Sequence, residues 1–246
     1  MSVAGFVSVM EKRGRDVSSS TTFSCPRYPE CMKVDSPDLL EYERGLTHAG
    51  YRHIVGLDEV GRGALAGPIA AAAVALPRDL SLAADLWSSV QDSKALLPAR
   101  RVALSAGILQ HATCDVAMID AATIDAIGLA AANRMVMELA LRKLSNRIQP
   151  DCLLIDAMTI DDGLPQFGII GGDARSLSIA AASIVAKVHR DAWMVELSTD
   201  WPHYGWDRNK GYGVSAHLAA LATLGPCVYH RASFRPVAEC AAIHGA

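Results

Sequence analysis

The chain has 246 residues, 51% of them hydrophobic and 20% charged, with a formal net charge of −3. That balance excludes a wholly disordered chain, and no apolar run approaches the roughly 20 residues that span a bilayer, so no membrane partner is expected. A slightly acidic chain lacks the overall basic footprint of a nucleic-acid binder, yet two divalent cations on a carboxylate cluster would bring the loaded protein to about +1, and local basic clusters can still follow a phosphate backbone.

Residues 1–37 carry the polar tract Ser18-Ser19-Ser20-Thr21-Thr22, then Cys25-Pro26 and Pro29, with no helical or strand period. They are expected to form a disordered extension ahead of one catalytic domain over 38–246, with Met32 as an alternative start. The N-terminus lacks the basic-then-apolar order of a secretory signal, so a cytoplasmic protein is expected. Cys25, Cys31, Cys114, Cys152, Cys227 and Cys240 include no C-x-x-C pair, which reads as free thiols and not as a zinc module or a disulfide framework.

Asp38-Leu39-Leu40-Glu41-Tyr42-Glu43 reads as a short helix. His53–Leu57 and Ile69–Leu76 read as neighbouring strands joined by the glycine-punctuated turn Gly61–Pro68. Pro98–Ala112 opens with a proline suited to a first helical turn, and Thr123–Leu144 continues at helical spacing until Pro150 closes it. Cys152–Ile155 and Phe167–Ile170 are continuous apolar runs of the kind buried on both faces, and Ser178–Leu197 reads as a long helix with a small-residue start. The sum is an α/β fold with a mixed central sheet, flanking helices and a helical C-terminal part.

Three apolar runs each deliver carboxylate at or just past their ends: Asp58 and Glu59 after Val55-Gly56-Leu57, Asp156 after Leu154-Ile155, and Asp173 after Ile169-Ile170-Gly171-Gly172. Any one of them alone reads as a turn former or helix cap. Together they suit a site at the strand ends of an open α/β sheet. Clustered carboxylates repel unless protonated or bridged, and oxygen-only ligands fit two Mg²⁺ or Mn²⁺ ions, which serve in-line phosphoryl displacement. Adjacent strand residues point to opposite faces, so Asp58 and Glu59 are expected to share a site only if the chain bends near Gly61.

Gly56-Leu57-Asp58-Glu59-Val60-Gly61-Arg62-Gly63-Ala64-Leu65-Ala66-Gly67-Pro68 resembles the opening signature of the ribonuclease HII family. The likeness continues, in order, through Asp92-Ser93-Lys94, Leu154-Ile155-Asp156, Gly172-Asp173, Ala181 to Asp191, Lys210-Gly211-Tyr212 and His230 to Val237. The resemblance implies a ribonuclease H-like fold and cleavage of RNA in RNA–DNA hybrids. It also implies cutting on the 5′ side of ribonucleotides embedded in duplex DNA, leaving 3′-hydroxyl and 5′-phosphate ends.

By matched position, Asp58, Glu59, Asp156 and Asp173 would be the catalytic, metal-binding set. Gly61, Arg62 and Gly63 would read the ribose hydroxyl, Tyr212 would stack on the adjoining deoxynucleotide sugar, and Lys94, Ser183 and Lys187 would contact phosphate. A monomer is expected. Ala157, Gly171 and Ala64 depart from the commoner family pattern, and the lysine that often precedes Gly-Asp is missing at Gly171. His189, His217 and His230 read as structural, since a lone histidine is more often that than a base. Two other readings explain part of the pattern: a noncatalytic nucleic-acid binder, and another acidic-metal phosphotransferase. The second leaves the glycine–arginine–glycine turn and Tyr212 unexplained.

Overall fold

The computed structural model describes residues 38–90 and 96–245. The expectations for residues 1–37 and for Lys94 lie outside that span.

A short helix α1 (Glu41–His48) leads into strand β1 (Ile54–Val60), the glycine turn and strand β2 (Ile69–Ala75). Helices α2 (Ala84–Ser89) and α3 (Pro98–His111) precede β3 (Thr113–Ile119). Helices α4 (Ala121–Ile127) and α5 (Leu129–Ser145) then lead to β4 (Cys152–Asp156) and β5 (Gln166–Ile169). The long helix α6 (Leu177–Asp200), the single turn α7 (Trp206–Asn209), α8 (Ser215–Leu224) and α9 (Arg235–His244) complete the order.

The five strands form one sheet in the order β3-β2-β1-β4-β5. β1, β2 and β3 pair antiparallel, whereas β1, β4 and β5 run parallel, so the sheet is mixed as expected. Side chains alternate along each strand and divide the core in two. Val55, Leu57, Ala71 and Ala73 pack with Ala132, Val136, Met137 and Ala140 of α5 on one face. Ala72 and Val74 pack with Ala180, Ala181, Ala182 and Ile184 of α6 on the other.

Small residues set how closely α6 approaches. β2 is alanine at five of seven positions and fully buried. A Cβ on Gly56 would lie 2.2 Å from the Ser178 carbonyl carbon, so glycine is required where β1 touches the start of α6. Ser176 caps that helix by accepting from the Ile179 N–H, and Glu43 of α1 accepts from the Ser178 N–H and hydroxyl, fixing the helix N-terminus in the core. Among the described residues, no helix is long and apolar enough to cross a membrane.

Three local expectations are corrected. The helical run over Thr123–Leu144 is two helices, because Gly128 at φ 82 ends α4 and begins α5, and Asp120 caps the first by accepting from Thr123. β3 is a strand that the sequence reading passed over. β1 continues through the acidic pair to Val60 in unbroken register, with Asp58 opposite Ala72 and Glu59 opposite Ala71, so the chain does not bend at the carboxylates.

Candidate active site

Parallel pairing of β1 and β4 sets Leu57 beside Ile155, so the next residues along, Asp58 and Asp156, stand side by side at neighbouring strand ends. Adjacent strands lie about 4.8 Å apart, and residues in register face the same way. Asp58 follows the phase of Gly56 and faces α6, where Ser183 hydrogen-bonds its carboxylate. Its Oδ1 also accepts from the Glu59 N–H at 2.8 Å. Asp156 Oδ1 accepts from the Gly172 N–H at 2.7 Å, which ties β4 to the turn carrying Asp173. Asp58 and Asp173 are both 5% exposed.

Glu59 follows the phase of Val55 and Leu57 and faces α5, where Asn133 hydrogen-bonds it. The acidic pair therefore straddles the sheet instead of converging through a bend, and Asp156 lies within electrostatic reach of both members. Burial, first, and then the like charges of Glu59, Asp156 and Asp173 hold the Asp58 carboxyl well above the usual carboxylate range, against the Ser183 hydroxyl. Burial and Asp156 raise Glu59, while Arg62 and Asn133 oppose that shift.

Among the described residues, no three His, Cys, Asp or Glu side chains are drawn together tightly enough to enclose a cation. The acids are instead held in a row by Ser183, Gly172 and Asn133. The chemistry of the donor set fits Mg²⁺ or Mn²⁺: all donors are carboxylate oxygens, and the mutual repulsion that adds to burial in raising Asp58 is what a divalent cation relieves.

The glycine turn leaves β1 directly beyond this row. Gly61 is buried at φ 89 and has no room for a side chain, since a Cβ would meet Arg190 Nε at 2.1 Å. Arg62 and Gly63 are exposed. Ala64 bridges to Tyr212, and Leu65 N–H donates to Gly211 O at 2.8 Å, so the turn and the tyrosine loop form one surface. Lys187 Nζ and Arg190 Cζ each lie 5.4 Å from the Tyr212 ring centroid. Lys187 also donates to Asp191 at 2.9 Å.

Two arginines inside the matched sequence blocks, to which the motifs assign no role, support this surface from below. Arg190, fully buried, donates to the carbonyls of Pro68, Lys210 and Ala66 at 2.8, 2.9 and 3.2 Å. Arg231, also fully buried, donates twice to Gly67 O at 3.1 and 2.9 Å and once to Arg62 O at 2.9 Å. Burial lowers both, Arg231 to about 10, with Arg190 adding to the effect on Arg231. Guanidinium supplies five donors in a fixed fork, and here backbone carbonyls accept from it. The turn keeps its shape and two positive charges lie beneath it.

Asp58 thus stands within electrostatic reach of Glu59, Asp156 and Asp173, with Glu59 on the other face of the sheet. Gly61, Arg62 and Gly63 form the adjoining turn, and Lys187 of α6 and Tyr212 of the loop bridged to Ala64 lie beside it. Ser183, expected to contact phosphate, hydrogen-bonds Asp58. Asn133, which no motif singled out, is 3% exposed beside Glu59 and also donates to Met158 Sδ at 3.1 Å. An asparagine inside an otherwise apolar helix face is the sequence signal that could have found it.

Residues 55–237 match the family model for Ribonuclease HII. The chain is 46% identical over 212 residues to Ribonuclease HII of Roseiflexus castenholzii, covering 85% of this chain and 94% of that protein. It is 48% identical over 203 residues to Ribonuclease HII of Geobacillus thermodenitrificans, covering 82% and 76%. Among solved structures, ribonuclease H2 from Pyrococcus horikoshii OT3 superposes with a TM-score of 0.67 at 21% identity, over 77% of this chain and 97% of that one. Bst-RNase HIII in complex with Mn²⁺ gives 0.66 at 21%, over 79% and 70%. At that identity the structural likeness is one of fold.

Proposed function

The chain belongs to the ribonuclease HII family, and from that premise we propose that it cuts duplex DNA on the 5′ side of embedded ribonucleotides, using Asp58, Glu59, Asp156 and Asp173 to hold two divalent cations. As a ribonuclease H it is a hydrolase of RNA in RNA–DNA hybrids. The incision at single ribonucleotides, the number of ions and the residue roles are the added reading.

The observation that carries it is the in-register placement of Asp58 beside Asp156, with Asp173 tied in through Gly172, at the foot of the glycine turn. When bound, a pair of Mg²⁺ or Mn²⁺ ions supplies a polarised water and charge relief at the leaving oxygen. The residues do the rest. Ser183 and the Glu59 N–H orient Asp58, Gly172 orients Asp156, and Asn133 orients Glu59 toward the far side of the row.

Gly61, Arg62 and Gly63 bring backbone close to the ribose, where a 2′-hydroxyl distinguishes RNA from DNA. Tyr212 stacks on the next deoxynucleotide, with Lys187, Lys94, Arg62 and the buried Arg190 and Arg231 charges balancing phosphate. The protein acts as a monomer in the cytoplasm on this reading.

A 5′-labelled duplex carrying one ribonucleotide, incubated with and without Mg²⁺ or Mn²⁺, tests it. One cut 5′ of the ribonucleotide, with a 3′-hydroxyl end and strict cation dependence, is expected, and Asp58→Asn should abolish it while the fold survives. Binding without product would favour a noncatalytic binder. A cyclic phosphate end would mean that the ribose hydroxyl itself attacks, and would reject the hydrolytic scheme.

A further inference from the structure

Behind Tyr212 lie two buried histidines that the site has not used. His217 is 0% exposed near the start of α8, and His230 is 4% exposed in the segment before α9. Tyr204 and Trp206 stack at 5.0 Å beside them, and Tyr204 meets the His230 ring edge-on at 4.7 Å. The histidines are held in an aromatic box with no exposed edge.

Five polar contacts run through the pair, counting Cys227 Sγ at 3.3 Å from His230 Nδ1, and their end groups fix every ring proton. Trp206 Nε1–H can only donate, and it lies 3.1 Å from His217 Nε2, so that nitrogen accepts. The His217 proton therefore sits on Nδ1 and is donated to the Tyr212 carbonyl at 3.0 Å. The Cys227 N–H likewise can only donate, and it lies 3.0 Å from His230 Nδ1. The His230 proton is then on Nε2, directed at His217 Nε2 at 3.2 Å. With the Cys227 thiol also donating to His230 Nδ1, no other pair of tautomers satisfies all five contacts.

The chain has one direction, from Cys227 through His230 and His217 to the Tyr212 backbone. Trp206 and His230 share the single lone pair of His217 Nε2, which polarises the ring and strengthens its Nδ1–H as a donor, and burial keeps both rings neutral. Two bridges connect the same segments to the glycine turn, Ala64 with Tyr212 and Ala66 with His230. The pair thus acts at the junction of the turn and the tyrosine loop.

We propose that His217, held in one tautomer by His230 and Trp206, is a positioning residue for Tyr212, fixing the loop so that the ring is set for the deoxynucleotide beside the cleaved ribonucleotide. This rests on the reading of Tyr212 as a stacking residue. His217 touches no reacting atom, so its loss acts on substrate binding far more than on the chemical step.

The test compares Tyr212→Ala, His217→Leu, His217→Asn and His217→Gln in kcat and KM on the single-ribonucleotide duplex, below each variant's melting temperature. An Asn amide nitrogen falls near the Nδ1 position and keeps the donor to Tyr212, whereas a Gln amide reaches toward Nε2. The expected result is a roughly tenfold or larger rise in KM for Tyr212→Ala, the size of a lost stacking contact, and a similar rise for His217→Leu and His217→Gln. His217→Asn should stay within about threefold of the unmodified protein, and Tyr212→Ala/His217→Leu should be no worse than Tyr212→Ala alone.

If Tyr212→Ala raises KM and His217→Leu does not, the positioning role is wrong while the stacking reading stands. If neither raises KM, the stacking reading fails, and the proposal with it. Equal effects of Leu and Asn would assign the effect to packing and overturn the hydrogen-bond account. Should His217→Leu not fold, the Asn-against-Gln comparison decides the same question. ¹⁵N shifts of the histidine rings give a readout apart from activity: a proton on Nδ1 of His217 and on Nε2 of His230 is required, and the reverse would overturn the proposal.

Discussion

Replacing Arg190 with methionine keeps the length of the side chain and removes its donors. Three carbonyls, of Pro68, Lys210 and Ala66, then lose partners at 2.8, 2.9 and 3.2 Å in a region with no exposed path at Arg190 itself. An orphaned buried acceptor costs roughly 1–3 kcal/mol, so three give about 3–9 kcal/mol. Removing a buried cation returns several kcal/mol of desolvation, and a net loss of about 4 kcal/mol is expected, in line with breaking one partner of a buried charged network.

Arg190→Lys keeps the charge but presents a single ammonium where the guanidinium spans two segments, so about half of that loss is expected, roughly 2 kcal/mol. Urea unfolding followed by tryptophan fluorescence measures both. Because the lost bonds hold the glycine turn against the tyrosine loop, kcat/KM on the single-ribonucleotide duplex should also fall at least tenfold under folding conditions. A stability loss below about 1 kcal/mol for methionine would mean that the carbonyls find water, and would refute the bracing role of Arg190.

Burial pushes His230 down to about 4 and lowers His217, so the unfolded chain takes up these protons more readily than the fold. Their contribution is complete above the ordinary histidine value of 6.5 and is lost as pH falls toward about 4, of order 3 kcal/mol for His230. Glu43, Asp58 and Glu59 are raised and act in the opposite sense. The informative quantity is thus the unfolding free energy of the unmodified protein minus that of His230→Gln, which should shrink between pH 7 and 4. Ala157 holds φ 54 immediately after Asp156, a left-handed conformation that costs an L-residue roughly 1–2 kcal/mol, partly offset by the entropy of glycine. Ala157→Gly should therefore raise stability by about 0.5–1 kcal/mol in thermal unfolding, and a loss would show that the strain is absent. Gly56→Ala would set a Cβ 2.2 Å from the Ser178 backbone and should lower stability by about 2 kcal/mol or more, with activity falling as α6 and Ser183 shift.

The strand-end carboxylates and the glycine turn were legible in the chain because each rests on local chemistry: an apolar run, an acid and a required glycine. The sheet was legible where apolar runs were continuous. β3 was not, because its burial alternates irregularly and Asp115 interrupts its apolar pattern. Gly128 hid inside a helical period because a single glycine is tolerated in a helix, and only its φ of 82 reveals the break.

Period-2 alternation correctly raised the difficulty that Asp58 and Glu59 face opposite sides. It could not show that Asp156, one strand over, lies within reach of both. Arg190 and Arg231 act on backbone carbonyls that are mostly far away in sequence, and His217 acts on that of Tyr212, five residues earlier. Such partners leave no residue pattern, since any residue but proline offers the same N–H and every residue the same carbonyl.

The account stands on acids from three separate stretches sharing a cation. Titration of the full chain with Mn²⁺, followed by electron paramagnetic resonance of the free ion, tests this most directly when Asp58→Asn, Asp156→Asn and Asp173→Asn are set beside the unmodified protein. Each substitution should weaken Mn²⁺ binding at least tenfold while circular dichroism and unfolding midpoint are kept. Unchanged Mn²⁺ binding in Asp58→Asn and Asp156→Asn would contradict it.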